Sequence, residues 1–324
     1  MKIVFMGTPQ FALPALERLI ANPHEVILVI TQPDRPKGRG RRLEASPIKQ
    51  VAQGQGLRVI EPRKLRAEHV AETIRESGAD LGVVVAYGRV LPREVFEAPR
   101  LGCLNIHPSL LPEYRGAAPI QRCLLDGRDR TGVTLMMIEE DLDAGPIVAQ
   151  QAIDILPDDD ARSVGNLCAA VGAEMLLRVI DEAQRGGTIE STPQDKEKVT
   201  YAFPIEKGEG LISWGASTEE IMLHLRGMTP WPGAFSFIAG QRRLSIVQAE
   251  PLWENEAEEL EPANDEPSGR VTSIKKGVGF MVKTGSGHLL VTRVRPEGKR
   301  EMDAGDFVNG RGIQVGDVLD AEGT

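Results

Sequence analysis

Three polar side chains between residues 101 and 146 could form a reaction site: the Asn105 amide, the His107 imidazole and the Asp143 carboxylate. An apolar run from Gly102 to Ile106 predicts a strand, and its two-residue alternation puts Asn105 and His107 on the same side of the chain. Asp143 follows a second apolar run over 132–138. If these strands are parallel neighbours, we expect the three side chains to meet at the carboxyl edge of the sheet, where open α/β sheets bind ligands.

This combination of groups suits transfer to an amine. The Asn105 amide can donate a hydrogen bond to a carbonyl oxygen that gains negative charge. His107 can take up and return the amine proton, because imidazole titrates near neutrality, and Asp143 can hold the ring. Each residue also has an ordinary interpretation, since Asn, Asp and the residue before Pro108 are frequent in turns. The alternation alone leaves both interpretations open.

Composition limits the class of protein. The chain has 324 residues, 41% of them hydrophobic, and a net charge of -9, which favours two domains and argues against indiscriminate coating of nucleic acid. Its three cysteines are widely spaced, which favours a reducing cytoplasm over a disulfide framework or a zinc site. Because no apolar run approaches the roughly 20 residues that cross a bilayer, we expect a soluble protein that does not contact membranes. We expect it to be a monomer.

The order of apolar runs predicts an α/β fold with a Rossmann-like, doubly wound, mostly parallel sheet. Strands are predicted over 3–6, 26–31, 57–60, 81–86, 103–106 and 133–138, and helices over 13–20, 70–77, 120–125 and 164–183. The turn after the first strand contains Gly7 but lacks the complete glycine fingerprint of dinucleotide sites, so no NAD is expected.

The pattern predicts a catalytic domain over 1–187, a linker over 188–208 and a C-terminal domain over 209–324. In the last of these we expect a helix over 218–226 and a small barrel. Its predicted strands cover 234–238, 243–248, 269–274, 279–284, 287–294 and 317–320.

Local charge indicates two surfaces for RNA. Residues 31–49 hold six cations against two carboxylates, and residues 270–300 hold eight against one. Phosphates are attracted to such surfaces, although a solvated basic loop is the commoner reason for a charge run. We favour RNA binding by these side chains: Arg39, Arg41, Arg42, Lys275, Lys276, Arg293 and Arg295. The acidic stretch 250–266 is interpreted as a mobile loop that repels RNA; a metal site there is less favoured, and no metal is expected.

The motif Asn105-Ile106-His107, followed by the run 109–116 and by Asp141-Leu142-Asp143-Ala144-Gly145, resembles the formyltransferase family that uses 10-formyltetrahydrofolate. The segments 6–12 and 85–88 also match, and the resemblance extends from Lys2 to about Val318, more weakly in the last hundred residues. Pro108 departs from some members, which have a small residue there.

The resemblance implies catalysis by Asn105, His107 and Asp143, and an OB-like, tRNA-binding barrel at the C-terminus. It implies that the formyl donor, 10-formyltetrahydrofolate, is a co-substrate and that the acceptor is initiator methionyl-tRNA, for translation initiation. The residues implied to bind the folate are Ser109, Leu110, Leu111, Pro112, Tyr87 and Gly88. The resemblance also implies that an arginine of the basic segment 31–49 enters the acceptor stem; of Arg39, Arg41 and Arg42, Arg42 next to Leu43 fits that arginine best.

Alternatives remain open. A relative could formylate a nucleotide sugar or glycinamide ribonucleotide, or hydrolyse the folate. The chain could also be an idle RNA-binding protein on the same scaffold, against which the presence of all three polar residues counts. The basic segment 31–49 and the barrel favour tRNA.

Overall fold

The computed structural model describes residues 1–37, 42–252 and 267–320, with only the backbone described for Lys37 and Arg42. The chain forms two compact units. The first comprises Met1–Ile120, Asp129–Leu156 and Ser163–Phe203, and the second comprises Gln121–Arg128, Pro157–Arg162 and Pro204–Thr324.

The first unit alternates strands and helices, as the apolar pattern predicts. Its strands are β1 (Lys2–Gly7), β2 (Glu25–Ile30), β3 (Arg35–Lys37), β4 (Arg42–Glu44), β5 (Val59–Ile60), β6 (Leu81–Val85), β7 (Cys103–His107), β8 (Arg115–Gly116), β9 (Arg130–Met137), β10 (Ile147–Asp154) and β11 (Tyr201–Ala202). The α-helices in residues 1–186 are α1 (Leu13–Ile20), α2 (Pro47–Gly54), α3 (Val70–Glu76), α4 (Arg93–Phe96), α5 (Pro119–Leu125) and α6 (Ala161–Gly186).

A seven-stranded sheet organises this unit, in the order β10-β9-β7-β6-β1-β2-β5. The five strands from β7 to β5 are parallel. On one face, Val4, Met6 and Cys103 belong to a buried cluster with residues of α3 and α4. On the other face α6 approaches β7 closely, because Gly172 lies against Ile106 and Val133. Helices therefore cover both faces of a mostly parallel sheet.

The sequence argument for the site was wrong in one respect, because β7 and β9 pair antiparallel rather than parallel. His107, the last residue of β7, faces Thr134, near the middle of β9, and β9 runs away from His107 to Met137. An additional antiparallel edge strand, β10, was not predicted; the Gln150-Gln151 polarity inside it weakens its apolar signal. The two apolar runs predict strands but carry no information on their relative direction.

The loop 138–146 brings the chain back toward β7. It leaves β9 through a bond from Ile138 N to the Cys103 carbonyl (2.8 Å), and it closes where Met137 N donates to Pro146 O (3.0 Å). A Cβ atom at Gly145 would overlap the Met137 carbonyl oxygen, so this return requires glycine.

Part of the predicted linker packs into the first unit. Thr192 exchanges two backbone hydrogen bonds with Ile147, Gln194 is buried, and β11 pairs in parallel with β8. The linker is predicted from glycines, a proline and charges without periodic apolar residues. An extended segment that packs against the domain can have the same composition. The limits 1–187 and 209–324 stay a prediction.

The sequence predicts no apolar run long enough to span a membrane, but helix α6 is long and apolar enough. Its 26 residues suffice by length and composition alone, and half of its most apolar window is buried within the protein. A buried core helix passes the same test, so this observation is weak.

The second unit is built on a curled antiparallel sheet. It contains α7 (Thr218–Met228), α8 (Ala304–Asn309), β12 (Phe235–Ile238), β13 (Arg242–Leu252), β14 (Val271–Lys275), β15 (Gly279–Lys283), β16 (His288–Pro296), β17 (Met302–Asp303) and β18 (Leu319–Asp320). The strand order is β14-β15-β16-β13-β12-β18, with β17 paired to β16. Helix α7 begins with a capping box between Ser217 and Glu220. All six predicted strands are present, with shifted ends.

The two end strands of this sheet are linked. Val271 N donates to Asp317 O, and Leu319 N donates to Gly269 O, each at 2.8 Å. These bonds satisfy backbone groups that an open edge would expose.

The close approach at Gly145 gives a test of the loop. We expect Gly145→Ala to lower the unfolding temperature and to destabilise the protein by about 1–3 kcal/mol, because the methyl group must displace backbone. The control is Gly186→Ala, since a Cβ atom there meets no atom within 4 Å. Thermal unfolding that is equal for both variants would contradict the required close approach.

Candidate active site

His107 is fixed at the end of β7 by one hydrogen bond. Its side chain is 5% exposed, and Nε2 lies 3.0 Å from the carbonyl oxygen of Tyr114. Because a carbonyl can only accept, we assign the hydrogen to Nε2. In neutral His107 the lone pair is then on Nδ1, and this is the atom that can take up a proton.

Asp143 faces that atom from the returning loop. Its Oδ2 lies 3.7 Å from His107 Nδ1 and accepts a hydrogen bond from Gly116 N at 2.9 Å. The separation from Nδ1 exceeds a hydrogen bond, so the ring nitrogen is not committed to the carboxylate. A proton gained at Nδ1 would be stabilised by the adjacent negative charge.

Asn105 lies two residues before His107 on β7 and is partly exposed. Its backbone neighbours are Val84 of β6 and Met136 of β9. Within the described ranges, its side-chain amide makes no hydrogen bond, so both N–H groups can be donated to a ligand. The structure thus brings Asn105, His107 and Asp143 to one locality, although through an antiparallel pair.

The segment 114–116 connects His107 and Asp143. Tyr114 O holds His107, while Gly116 N holds Asp143. The segment is itself held by Thr200, whose Oγ1 accepts from Tyr114 N (2.8 Å) and whose O accepts from Arg115 N (2.9 Å). Gly116 has φ +125, and a Cβ there would lie 2.6 Å from Ala202 O, so glycine allows the strands to approach.

Gln194 fastens the Asp143 loop to the same segment. Its Nε2 donates to Asp143 O (2.8 Å) and Gly145 O (2.7 Å), and its Oε1 accepts from Arg115 Nε (3.0 Å) and Nη2 (2.6 Å). Gln194 and Arg115 are buried at 8% and 9% exposure. Arg115 therefore pins the loops together. Sequence reasoning missed Gln194, because only the tertiary fold brings it near Asp143.

Unusual backbone conformations concentrate here. Asp143 has φ +49, Tyr114 φ +58 and Ala86, which precedes Tyr87, φ +45. Left-handed non-glycine residues are uncommon and cost free energy that the surrounding contacts must offset. Such strain is typical of functional sites, and no residue pattern in the sequence signals it.

Comparisons with known proteins identify the family of the chain. Residues 1–180 match the Formyl transferase family model, and residues 204–312 match the model of the Formyl transferase C-terminal domain. The chain belongs to the formyl transferase family.

Relatives and solved structures cover most of the chain. It is 41% identical over 314 residues to the methionyl-tRNA formyltransferase of Thermodesulfovibrio yellowstonii, covering 97% of each protein, and 43% identical over 320 residues to that of Symbiobacterium thermophilum, covering 98% of this chain and 94% of that protein. The Clostridium thermocellum methionyl-tRNA formyltransferase structure superposes with a TM-score of 0.56 at 16% identity, over 77% of this chain and 93% of that one. HypX from Aquifex aeolicus in complex with tetrahydrofolic acid gives 0.63 at 18% identity over 95% of this chain, which spans 47% of that longer protein. The structural matches support the fold.

In this formyl transferase, the loop 109–112 is anchored rather than open. Thr134 Oγ1 donates to Ser109 O (2.7 Å) and accepts from Leu111 N (3.1 Å), while Gln150 Nε2 donates to Leu111 O (2.7 Å). Ser109 and Leu111 are buried, and Leu110 and Pro112 are partly exposed. The exposed parts of Leu110 and Pro112 are therefore what the loop presents to a ligand.

Tyr87 differs from the position expected of a ligand contact. Its ring is 1% exposed in the core between the sheet, α3 and α4, and burial raises the pKa of its hydroxyl. The Tyr87 carbonyl accepts from Gln32 Nε2 (2.7 Å) and Thr8 Oγ1 (3.1 Å), which ties together the ends of β1, β2 and β6. Gly88 follows with φ +79 against Gln32. Any folate contact in this segment must come from Gly88 or from backbone.

Cys103, two residues before Asn105, does not provide a nucleophile. Burial raises the pKa of its thiol to about 12, so it stays protonated near neutral pH. In residues 1–37, 42–252 and 267–320, no group of three or more His, Cys, Asp or Glu side chains is arranged to hold a metal ion.

The basic segment 31–49 is fixed at its base. Thr31 Oγ1 and Ser46 Oγ lie 2.8 Å apart, and β3 pairs with β4. Lys49 bridges Asp34 and Glu61 at 2.8 Å each, and these hydrogen bonds raise the pKa of its amine. Arg35 bonds to Gln32, so neither cation is fully available to RNA. Arg39, Arg41 and the Arg42 side chain lie outside the described residues.

The predicted basic face of the second unit contains fewer unpaired cations than the sequence count suggests. Lys275, Lys276 and Arg295 are exposed, but Arg293 pairs with Glu301 (2.9 Å) and Asp303 (3.5 Å). Both carboxylates lie just beyond the window 270–300, which is why a local charge count does not include them. Most of the acidic stretch 250–266 lies outside the described residues.

Gln194 gives a test of the loop anchoring. We expect Gln194→Glu to keep the contact with Arg115 and to lose both N–H donations to the Asp143 loop, lowering kcat roughly 10-fold, since small displacements of catalytic groups are costly. KM values should change little. The control is Gln151→Glu on the exposed side of β10. A variant with a lower melting temperature but unchanged kcat would show a role in stability alone.

Proposed function

We propose that this formyl transferase moves the formyl group of 10-formyltetrahydrofolate to the α-amino group of methionine esterified to initiator tRNA, for translation initiation. The single observation that carries the proposal is the convergence of Asn105, His107 and Asp143, with His107 Nδ1 facing a carboxylate. The nearly full-length relatives named methionyl-tRNA formyltransferase support tRNA as the acceptor.

The reaction requires one bond to form and one to break. The amine nitrogen attacks the formyl carbon, and its proton passes to His107 Nδ1. Collapse of the tetrahedral intermediate breaks the bond from the formyl carbon to N10 of the folate, and N10 receives a proton. His107 can return the proton it took, so formyl-methionyl-tRNA and tetrahydrofolate form without an added base.

Stabilisation of charge is divided among the three residues. The Asn105 amide donates to the oxygen that becomes negative in the intermediate. His107, once protonated, is positive, and Asp143 offsets that charge at a distance of 3.7 Å. Because the donor carries the activated formyl group, a covalent enzyme intermediate is unnecessary, which agrees with the inert Cys103 thiol.

We propose that the folate donor contacts the segment 109–112 and Gly88. Support comes from their position beside the site on β7 and from the partial exposure of Leu110 and Pro112. Apolar walls with a few oriented polar groups are typical of small-molecule pockets.

We propose that the second unit forms an OB-like barrel that binds tRNA. The hydrogen bonds between 269–271 and 317–319 support closure of its curled sheet. Lys275, Lys276 and Arg295 are the phosphate-binding candidates, and Arg293 is a weaker one because two carboxylates face it. We also propose a cytoplasmic, monomeric enzyme; three buried free cysteines agree with a reducing compartment.

The catalytic proposal is tested by substituting the three residues. We expect Asn105→Ala and His107→Ala each to reduce kcat by roughly 10²-fold or more, because oxyanion and proton-transfer contributions are typically of that size. Asp143→Asn should also lower kcat strongly, since the substitution retains the shape of the side chain and removes its negative charge. Formylation of Met-tRNA is the measurement, with circular dichroism to check folding.

Near-wild-type rates in all three variants would overturn the site. A nucleotide sugar is the alternative acceptor, because the fold also resembles the sugar 3N-formyl transferase WlaRD, with a TM-score of 0.63 at 17% identity over 93% of this chain and 99% of that one. Formylation of a nucleotide sugar but not of Met-tRNA would overturn the substrate.

The basic segment gives a separate prediction. Replacing Arg39, Arg41 and Arg42 by Ala should raise KM for Met-tRNA and flatten the salt dependence of tRNA affinity by up to about three phosphate contacts. KM for 10-formyltetrahydrofolate should not change. The control replaces two exposed cations of α6, Arg178 and Arg185. Overlapping salt curves for wild type and triple variant would exclude the segment from tRNA binding.

A further inference from the structure

Two large aromatic side chains next to the candidate active site face solvent. Tyr201 is 60% exposed and Phe203 is 70% exposed, whereas Ala202 between them is 1% exposed. Within β11 this follows from strand alternation, which turns Tyr201 outward and Ala202 inward, and Phe203, the residue after β11, faces outward again. Soluble proteins expose few large apolar side chains next to one another, and such adjacent rings indicate a surface that is used in binding.

The two rings form a pair. Their centroids lie 6.3 Å apart and their planes are inclined by 29°. This near-parallel arrangement presents aromatic faces and edges side by side, which suits stacking of a further planar ring.

The backbone below the pair is rigidly attached to the site. Tyr201 is in register with Arg115 and Ala202 with Gly116. Ala202 O accepts from Ala117 N (2.9 Å), and Gly116 N donates to Asp143 Oδ2 (2.9 Å). Since paired strands lie about 5 Å apart, the pair lies on the order of 10–15 Å from the His107 ring.

The proposed acceptor requires a nucleobase at about this distance. The reacting amine belongs to an amino acid esterified to the terminal ribose, so roughly seven bonds of about 1.5 Å separate it from the base nitrogen. When the amine reaches His107, the nitrogen that joins the terminal base to its ribose must therefore lie within about 10 Å of His107. The ring of the base extends a few ångströms further.

We propose that Tyr201 and Phe203 are the stacking platform for the base of the 3′-terminal nucleotide of the acceptor tRNA. The inference rests on the proposed function and assigns a binding site for one part of that substrate. Single-stranded nucleic acid ends are commonly bound by stacking on aromatic side chains, which every base permits.

The exposure of the pair favours RNA over the folate ring as occupant. A small-molecule site buries about 70–90% of its ligand in a concave pocket, whereas these rings stand outward, Tyr201 on a two-residue strand and Phe203 just after it. An open platform fits the end of a large substrate whose affinity comes mostly from contacts elsewhere.

The test compares five variants in steady-state formylation of Met-tRNA. Tyr201→Ala and Phe203→Ala should each raise KM for Met-tRNA, and together by roughly 10- to 100-fold, the range that alanine substitution gives for base stacking. KM for 10-formyltetrahydrofolate should change less than about two-fold. Tyr201→Phe should resemble wild type because it keeps the ring, and Tyr201→Leu should not, although it keeps apolar area.

A direct probe separates stacking from folding. Met-tRNA with 2-aminopurine in place of its terminal adenine should lose fluorescence on binding the wild type and Tyr201→Phe, and should keep it with the double alanine variant. The control for loss of an exposed apolar side chain is Val90→Ala, at 80% exposure in the wild type.

Three results would overturn the platform: unchanged KM for Met-tRNA in the double variant, equal quenching by wild type and double variant, or a rise confined to KM for the folate. In the last case the pair would belong to the donor site. A wild-type protein that formylates a nucleotide sugar and not Met-tRNA would instead overturn the proposed function, so the two failures are distinguishable.

Discussion

The antiparallel pairing of β7 and β9 is the constraint on which the site depends. It leaves His107 at one end of β7 while β9 carries the chain toward the other, so Asp143 can face His107 only if the loop 138–146 folds back. That return requires a close backbone approach at Gly145 and a second anchor at Gln194. The short turn after a parallel strand, on which open α/β sites usually depend, is therefore replaced here by a long, clamped loop.

Backbone groups, more than side chains, orient the reacting residues. The Tyr114 carbonyl determines which nitrogen of His107 carries the hydrogen, and the Gly116 amide orients the Asp143 carboxylate. Both groups belong to one short segment that Thr200 and Gln194 hold from outside. Because Tyr114 and Asp143 are themselves in left-handed conformations, these contacts also offset local strain. The proposed aromatic platform for the acceptor shares this support, since Tyr201 belongs to β11, which pairs with β8.

Local sequence patterns predict the local features and not the pairing. The six N-terminal strands and the six in the second unit follow from apolar runs, because burial of those side chains requires little more than their spacing. Strand direction, the edge strand β10 and the packing of 188–203 depend on distant partners that leave no periodic signal. Periodicity placed Asn105, His107 and Asp143 as candidates, and the motif resemblance then favoured the catalytic interpretation over ordinary turn residues. The resemblance did not extend to Gln194, whose role arises only when Arg115 is near.

Charge counting has the same limit, and this bears on how the enzyme would hold RNA. A window of sequence counts Lys49 and Arg293 as free cations, yet each faces two carboxylates from outside the strand or helix that carries it. Each cation is therefore held in place by its carboxylates and attracts phosphate less strongly than a free cation would. Under the proposed function, fewer cations than the sequence indicates would then be available to the long acceptor, and the exposed side chains of Lys275, Lys276 and Arg295 are the candidates. Phosphate contacts of this kind position the body of an RNA but do not bind its reacting end. Short-range contacts beside His107 must fix that end, because a formyl transfer tolerates little displacement of the amine.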